Sequence, residues 1–257
     1  MNAYASWIAF STLLTKEIRR FMRIWVQTLL PPAITMCLYF IIFGNLVGSR
    51  VGHMGGFDYM QFIVPGLIMM AVIQNSYANV VSSFYRAKFQ RSIEELQVAP
   101  VSNFLILTGY VTGGVIRGLM VALIVTLLSL FFTHLHLVHP GVVIFTVVLT
   151  AFMFSLGGFI NAIYAKSFDD ISIVPTFVLT PLTYLGGVFY SVHLLSPFWQ
   201  QVTLLNPIIY MVNAFRYGVL GVSDVPVTKA MVVLTLLAIL LYGYALKLLH
   251  DGTGLRE

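Results

Sequence analysis

The chain is 257 residues long, with 59% hydrophobic and only 9% charged residues and a mean hydropathy of +0.91. Soluble domains carry about 25% charged and about 45–50% apolar residues, so an ordinary soluble globular fold is excluded. Fourteen Lys and Arg against nine Asp and Glu leave a net charge of +5, which in so apolar a chain reads as membrane topology and not as nucleic-acid binding.

At about 20 residues per crossing the length holds roughly six spans. The single cysteine, Cys37, excludes an intrachain disulfide and a CxxC metal site. Residues 1–23 come first, where Trp7, Ile8, Phe10, Leu13 and Leu14 precede Lys16, Glu17, Arg19, Arg20 and Arg23. This pattern predicts a retained amphipathic helix on the membrane surface, and no small-residue cleavage site follows it.

Six apolar blocks follow, at residues 24–47, 60–84, 104–135, 141–165, 171–190 and 230–249. Each is long enough to cross about 30 Å of hydrocarbon, and the third is long enough to tilt or project. Pro31 and Pro32 lie near the start of the first. In the fifth, Pro175 and Pro181 free backbone groups that Thr176, Thr180 and Thr183 are placed to satisfy.

An even number of spans puts both termini on one side. Ten of the basic residues fall there: Lys16, Arg19, Arg20, Arg23, Arg86, Lys88, Arg91, Lys166, Lys247 and Arg256. Arg50, Arg216 and Lys229 fall on the other, and Arg117 lies inside the third block. The richer side is predicted to be cytoplasmic. The expected fold is an all-α integral membrane protein with six transmembrane helices.

Four features depart from a plain apolar bundle. The loop 85–102, the most charged stretch, predicts a helix from Lys88 to Leu96 with Phe89, Ile93 and Leu96 on one face, ended by Pro100. It reads either as a solvated loop or as a docking helix in which Glu94 and Glu95 accept hydrogen bonds from a basic partner. Arg117 lies 13 residues into the third block, about 20 Å along the helix. No acid falls in any of the six blocks, so its expected partners are carbonyls, water or the amides Gln74, Asn75, Asn79 and Asn161. It is either a structural arginine or part of a substrate pathway.

Asn75 and Asn79, at i and i+4 beside Gln74, predict interhelical hydrogen bonds. The segment 191–227 is apolar and aromatic but broken by Pro197, Pro207 and Gly218. It predicts short re-entrant helices, with Phe198, Trp199, Tyr210 and Tyr217 at interfacial depth; a seventh span over residues 202–222 is the competing reading. His134, His136 and His139 lack a nearby cysteine or carboxylate, so no metal site is assigned.

Catalytic constellations do not appear. There is no phosphate-binding loop, no HExxH, no GxSxG and no buried carboxylate pair, so no catalytic residue and no cofactor is expected in the chain itself.

The stretch 179–216 places Leu182, Leu185, Gly186 and Val188 ahead of Leu195 and Ser196. Pro207, Ile208, Ile209 and Tyr210 are then followed after five residues by Arg216. In this spacing the chain resembles the permease subunits of bacterial type 2 ATP-binding cassette exporters, a group that includes drug, polysaccharide and nodulation-factor export permeases. The resemblance covers the whole chain, 1–257, as one transmembrane domain.

It implies that a connecting helix, 1–23, precedes six spans and that both termini are cytoplasmic. It further implies a coupling helix in 85–102, carrying Lys88, Phe89, Arg91, Glu94 and Glu95, and re-entrant helices in 191–227. Two copies would assemble as a homodimer with two separate ATP-binding cassette subunits that hold the ATP and Mg. A lipid, glycan or amphipathic small molecule would pass through the bacterial inner membrane, with Asn75, Asn79 and Arg117 as candidate pathway residues. An ion-coupled secondary transporter would instead want intramembrane acids, and an intramembrane enzyme would want a catalytic pair.

Overall fold

A computed structural model describes residues 3–254 of the chain, so Arg256 and the outermost ends of 1–257 lie outside the described residues. It is nearly all helix. The first helix, α1 (Ala3–Arg23), leads into a segmented first span of α2 (Trp25–Thr28), α3 (Leu30–Tyr39), a π-helical stretch Phe40–Val47 and α4 (Gly48–Val51). The break at Leu29 has a local cause. Pro31 and Pro32 occupy the first turn of α3, where their missing N–H groups cost nothing but where an uninterrupted helix from α2 would lose its bonds.

A two-residue hairpin, β1 (His53–Met54) with β2 (Phe57–Asp58), pairs antiparallel around Gly55 and Gly56, both at positive φ. It delivers the chain to α5 (Tyr59–Phe89), a 31-residue helix about 46 Å long. Then come α6 (Ser92–Val98), α7 (Asn103–Ser129) and α8 (Pro140–Tyr164).

The block expected as the fifth span is helical only over 170–184, as α9 (Asp170–Val174), a π-helical stretch Pro175–Leu179 and α10 (Thr180–Tyr184). Pro175 and Pro181 withdraw two N–H donors from this run. Thr180 Oγ1 donates to the Pro175 carbonyl and Thr183 Oγ1 to that of Leu179, meeting part of the expectation for the threonines. The chain then runs through α11 (Pro197–Thr203), α12 (Pro207–Leu220) and α13 (Val227–Asp251). Among the described residues five helical runs, not six, are long and apolar enough to cross a membrane: the first span, α5, α7, α8 and α13.

Helix α5 is the axle of the bundle, packed by α7, α8 and α12, whereas the first span is largely exposed. It is also the least apolar of the five, because a helix surrounded by protein can carry Asn75, Ser76, Asn79 and Ser83 in the core while a lipid-facing one cannot. Close approach depends on glycines of α7. A Cβ at Gly114 would collide with Ser155 and Val80, and one at Gly118 with Ser76, so this face is the small-residue seam against α5 and α8.

Two expectations are corrected by this packing. Helix α1 is not held only at a surface: Leu13, Glu17 and Phe21, one turn apart, are buried, and a Cβ at Gly113 would lie 2.7 Å from the Glu17 Cβ. The inward stripe therefore includes an acid. Tyr210, expected at interfacial depth, is instead 6% exposed: helix α12, 14 residues long and about 21 Å, is too short to cross the hydrocarbon, and almost every side chain from Ile208 to Leu220 is buried between α5, α8 and α13.

Candidate functional site

The charged loop folds as an elbow. Arg91 takes a left-handed conformation, φ 57°, which ends α5 and turns the chain into α6; for a non-glycine residue this costs of order 1 kcal/mol. The single helix expected from Lys88 to Leu96 is thus divided, and Phe89 and Ile93 do not share a face. Ile93 is 2% exposed and anchors α6 on the bundle, whereas Phe89 is 65% exposed.

Phe89 and Tyr85 meet the Phe168 ring edge-on, with centroids 5.2 and 4.9 Å away. Lys88 Nζ donates to the carbonyls of Ile163 and Ala165 at 2.7 and 2.9 Å, closing the end of α8. In the adjoining loop the Lys166 and Ser167 N–H groups donate to the Asp170 carboxylate. Of the five residues expected to couple, Lys88 works inside the fold. Arg91 forms the bend, and exposed Glu94 and Glu95 face outward with Val98, 89% exposed.

A polar seam runs from α1 across α5 and α7. Glu17 is 0% exposed; it accepts from Ser83 Oγ at 2.7 Å and pairs with Arg20 at 3.1 Å. Arg20 Nη2 also donates to the Asn79 side-chain and backbone oxygens at 2.8 and 3.1 Å. One turn of α7 beyond Gly113, Arg117 Nη2 donates to the Thr28 carbonyl and to Asn75 Oδ1, each at 3.2 Å. The two expected asparagines therefore serve different cations: Asn75 meets Arg117 and Asn79 meets Arg20. Asn161 donates instead to the Ile171 carbonyl.

A cavity of about 310 Å³ opens beside Arg117, lined also by Gln27, Thr28, Thr35, Gln74 and Asn75. Asn79 is not in its lining.

The family-spacing residues converge at the other end of the bundle. A Cβ on Gly186 would lie 2.6 Å from Ile208 Cγ2, so only glycine lets the turn approach α12 so closely. Asn206 caps α12 through Ile208 N–H at 3.0 Å and donates to the Leu182 carbonyl at 2.6 Å, and Pro207 fills the first turn. Tyr210 Oη donates to the Leu204 carbonyl at 2.9 Å.

Arg216, 1% exposed, donates to the carbonyls of Gly187 and Phe62 at 2.7 and 3.2 Å. Asp224 accepts from Ser191 Oγ and Val192 N–H, and its own N–H donates to Asn213. These residues tie α12, α5 and the turn after α10 into one joint, which is a structural role.

His139 stacks on Tyr217 at 4.7 Å, and among the described residues no three His, Cys, Asp or Glu side chains are grouped to hold a metal. Sequence reasoning passed over the Glu17–Arg20–Ser83 cluster, since an acid in a basic interfacial helix looks solvated. The available signal was the stripe Leu13, Glu17, Phe21 opposite Gly109 and Gly113.

The ABC-2 type transporter family model matches residues 8–220. The inner membrane transport permease YadH of Escherichia coli strain K12 is 62% identical over 252 residues, covering 98% of each chain. Nodulation protein J of Neorhizobium galegae is 22% identical over 185 residues, covering 72% of this chain and 71% of its own, and that of Rhizobium meliloti is 22% identical over the same length. An α-helical bundle of membrane-length helices, an outward-facing elbow and near-full-length similarity to a transport permease agree: the chain belongs to the ABC-2 type transporter family.

Proposed function

We propose that two copies of this chain form the membrane-spanning part of an ATP-binding cassette exporter in the bacterial inner membrane, and that residues 1–257 form one transporter domain. Two separate ATP-binding subunits supply ATP and Mg. The observation that carries this reading is the elbow: α6 is anchored by Ile93 and joins α5 to α7, two long bundle helices, while Glu94, Glu95 and Val98 are left exposed for a partner. A push on α6 is transmitted as rigid movement of both helices. The name inner membrane transport permease, borne by the 62% identical relative, supports the location.

In this reading the run 170–184 and the turn after it complete a sixth crossing, and α11 with α12 re-enters from the side opposite α6. Both termini lie on the α6 side, where most basic residues gather. The cargo is a lipid, glycan or amphipathic small molecule, and Asn75 and Arg117 line its path. The ion-coupled alternative draws no support, because the buried carboxylate Glu17 is spent on Arg20 and Ser83. The test is co-expression with a candidate ATP-binding subunit. A stable complex whose ATPase activity requires this chain is expected; failure to co-purify with any such subunit would overturn the proposal.

A further inference from the structure

The cavity beside Arg117 has a chemistry that restricts what it holds. Among the described residues Arg117 has two protein acceptors, both neutral, and no ion pair. Its Nε is buried without an acceptor. The lining adds Gln27, Gln74 and the Thr35 hydroxyl, all able to donate, and contains no acid. A guanidinium with neutral donors around it and its charge unmatched suits a carboxylate or phosphate, which accepts from a planar fork.

The wall of the cavity is as informative as its floor. Pro31 and Thr35 of α3 line it, and Leu30, Ile34 and Leu38 of the same helix are exposed. These three lie at i, i+4 and i+8, so they form one apolar strip adjoining the polar opening. A ligand with its head on Arg117 has a track for an alkyl tail directly beside it. We infer that this cavity binds the anionic headgroup, phosphate or carboxylate, of an amphipathic molecule entering from the side of the bundle.

The inference rests on the exporter reading and deepens it by naming the chemistry of the cargo headgroup. A membrane lipid residing in the site would present the same chemistry. Direct binding without ATP separates the two levels, since a complex that forms and hydrolyses ATP keeps the exporter reading whatever the binding result.

The experiment is equilibrium binding to the detergent-solubilised full-length complex with three probes: dioctanoyl phosphatidic acid, dioctanoyl phosphatidylcholine and inorganic phosphate. Phosphatidic acid is expected to bind at least tenfold tighter than either of the others. Arg117→Gln is expected to lower its affinity at least tenfold. Thr35→Trp, which fills the opening from an exposed position and leaves Arg117 and its two acceptors in place, is expected to do the same.

Release of bound phosphatidic acid on ATP addition identifies cargo, and retention identifies a resident lipid; either keeps the headgroup site. Equal affinity for phosphatidic acid and phosphatidylcholine in the unmodified complex would overturn the inference, as would unchanged affinity in both variants. Inorganic phosphate binding as tightly as phosphatidic acid would overturn the amphipathic ligand.

Discussion

The guanidinium carbon of Arg216 sits 3.9 Å from the centre of the Phe62 ring, and the same side chain donates to the Phe62 backbone carbonyl. A buried cation is thus held on α5 by the face of a ring and by carbonyls, with no carboxylate in contact among the described residues. Desolvated cation–π contacts are worth about 2 kcal/mol, and hydrogen bonds to charged groups about 1.5–3 kcal/mol.

Arg216→Ala therefore removes the joint between α12, α5 and the turn holding Gly187. A loss of roughly 3 kcal/mol is expected, read as a lower thermal unfolding midpoint in detergent. Arg216→Lys keeps the charge but not the planar fork and should recover less than half of the loss. A midpoint unchanged by both variants would show that the joint carries no stability.

Glu17→Ala leaves Arg20 without its acid and Ser83 without its acceptor. Removing one partner of a buried ion pair costs about 3–5 kcal/mol, and the lower end is expected because Arg20 keeps Asn79 and is 21% exposed. Glu17→Gln retains an acceptor and should be milder. The Glu17→Ala, Arg20→Met double variant should be more stable than Glu17→Ala alone, a coupling that a double-mutant cycle measures.

Glycine positions separate by what surrounds them. Gly114→Val drives a side chain into Ser155 and Val80 and should prevent stable accumulation of the protein. Nothing lies within 4 Å of a Cβ added at Gly243 in α13, so Gly243→Ala should stabilise by about 0.5–1 kcal/mol through helix propensity. Expression level and unfolding midpoint check both.

Reversing charge at Glu94 and Glu95 leaves the bundle untouched, since both are exposed. The Lys variants should insert and melt normally while losing ATPase stimulation in the complex. Ile93→Asp, at a buried position, should instead lower the melting midpoint. Undiminished stimulation with both glutamates reversed would remove α6 from the coupling role.

What the chain dictates locally was legible from residues alone. Apolar runs set α8 and α13 to within three residues and α5 and α7 to within six, Pro207 opens α12, and the spacing from Gly186 to Arg216 marked the family, because each depends on neighbours close in sequence; Gly218, read as a break, lies inside α12 against Val143. The tertiary structure decided which charges meet. Arg20 reaches Asn79 and Arg117 reaches Asn75 across 59 and 42 residues, so their pairing depends on how α1 and α7 dock on α5. The same docking buries Glu17, which hydropathy places in solvent, and the left-handed turn at Arg91 separates Phe89 from Ile93 despite their helical spacing. Periodicity describes one helix at a time, and the neutralisation of a buried charge belongs to the packing of several.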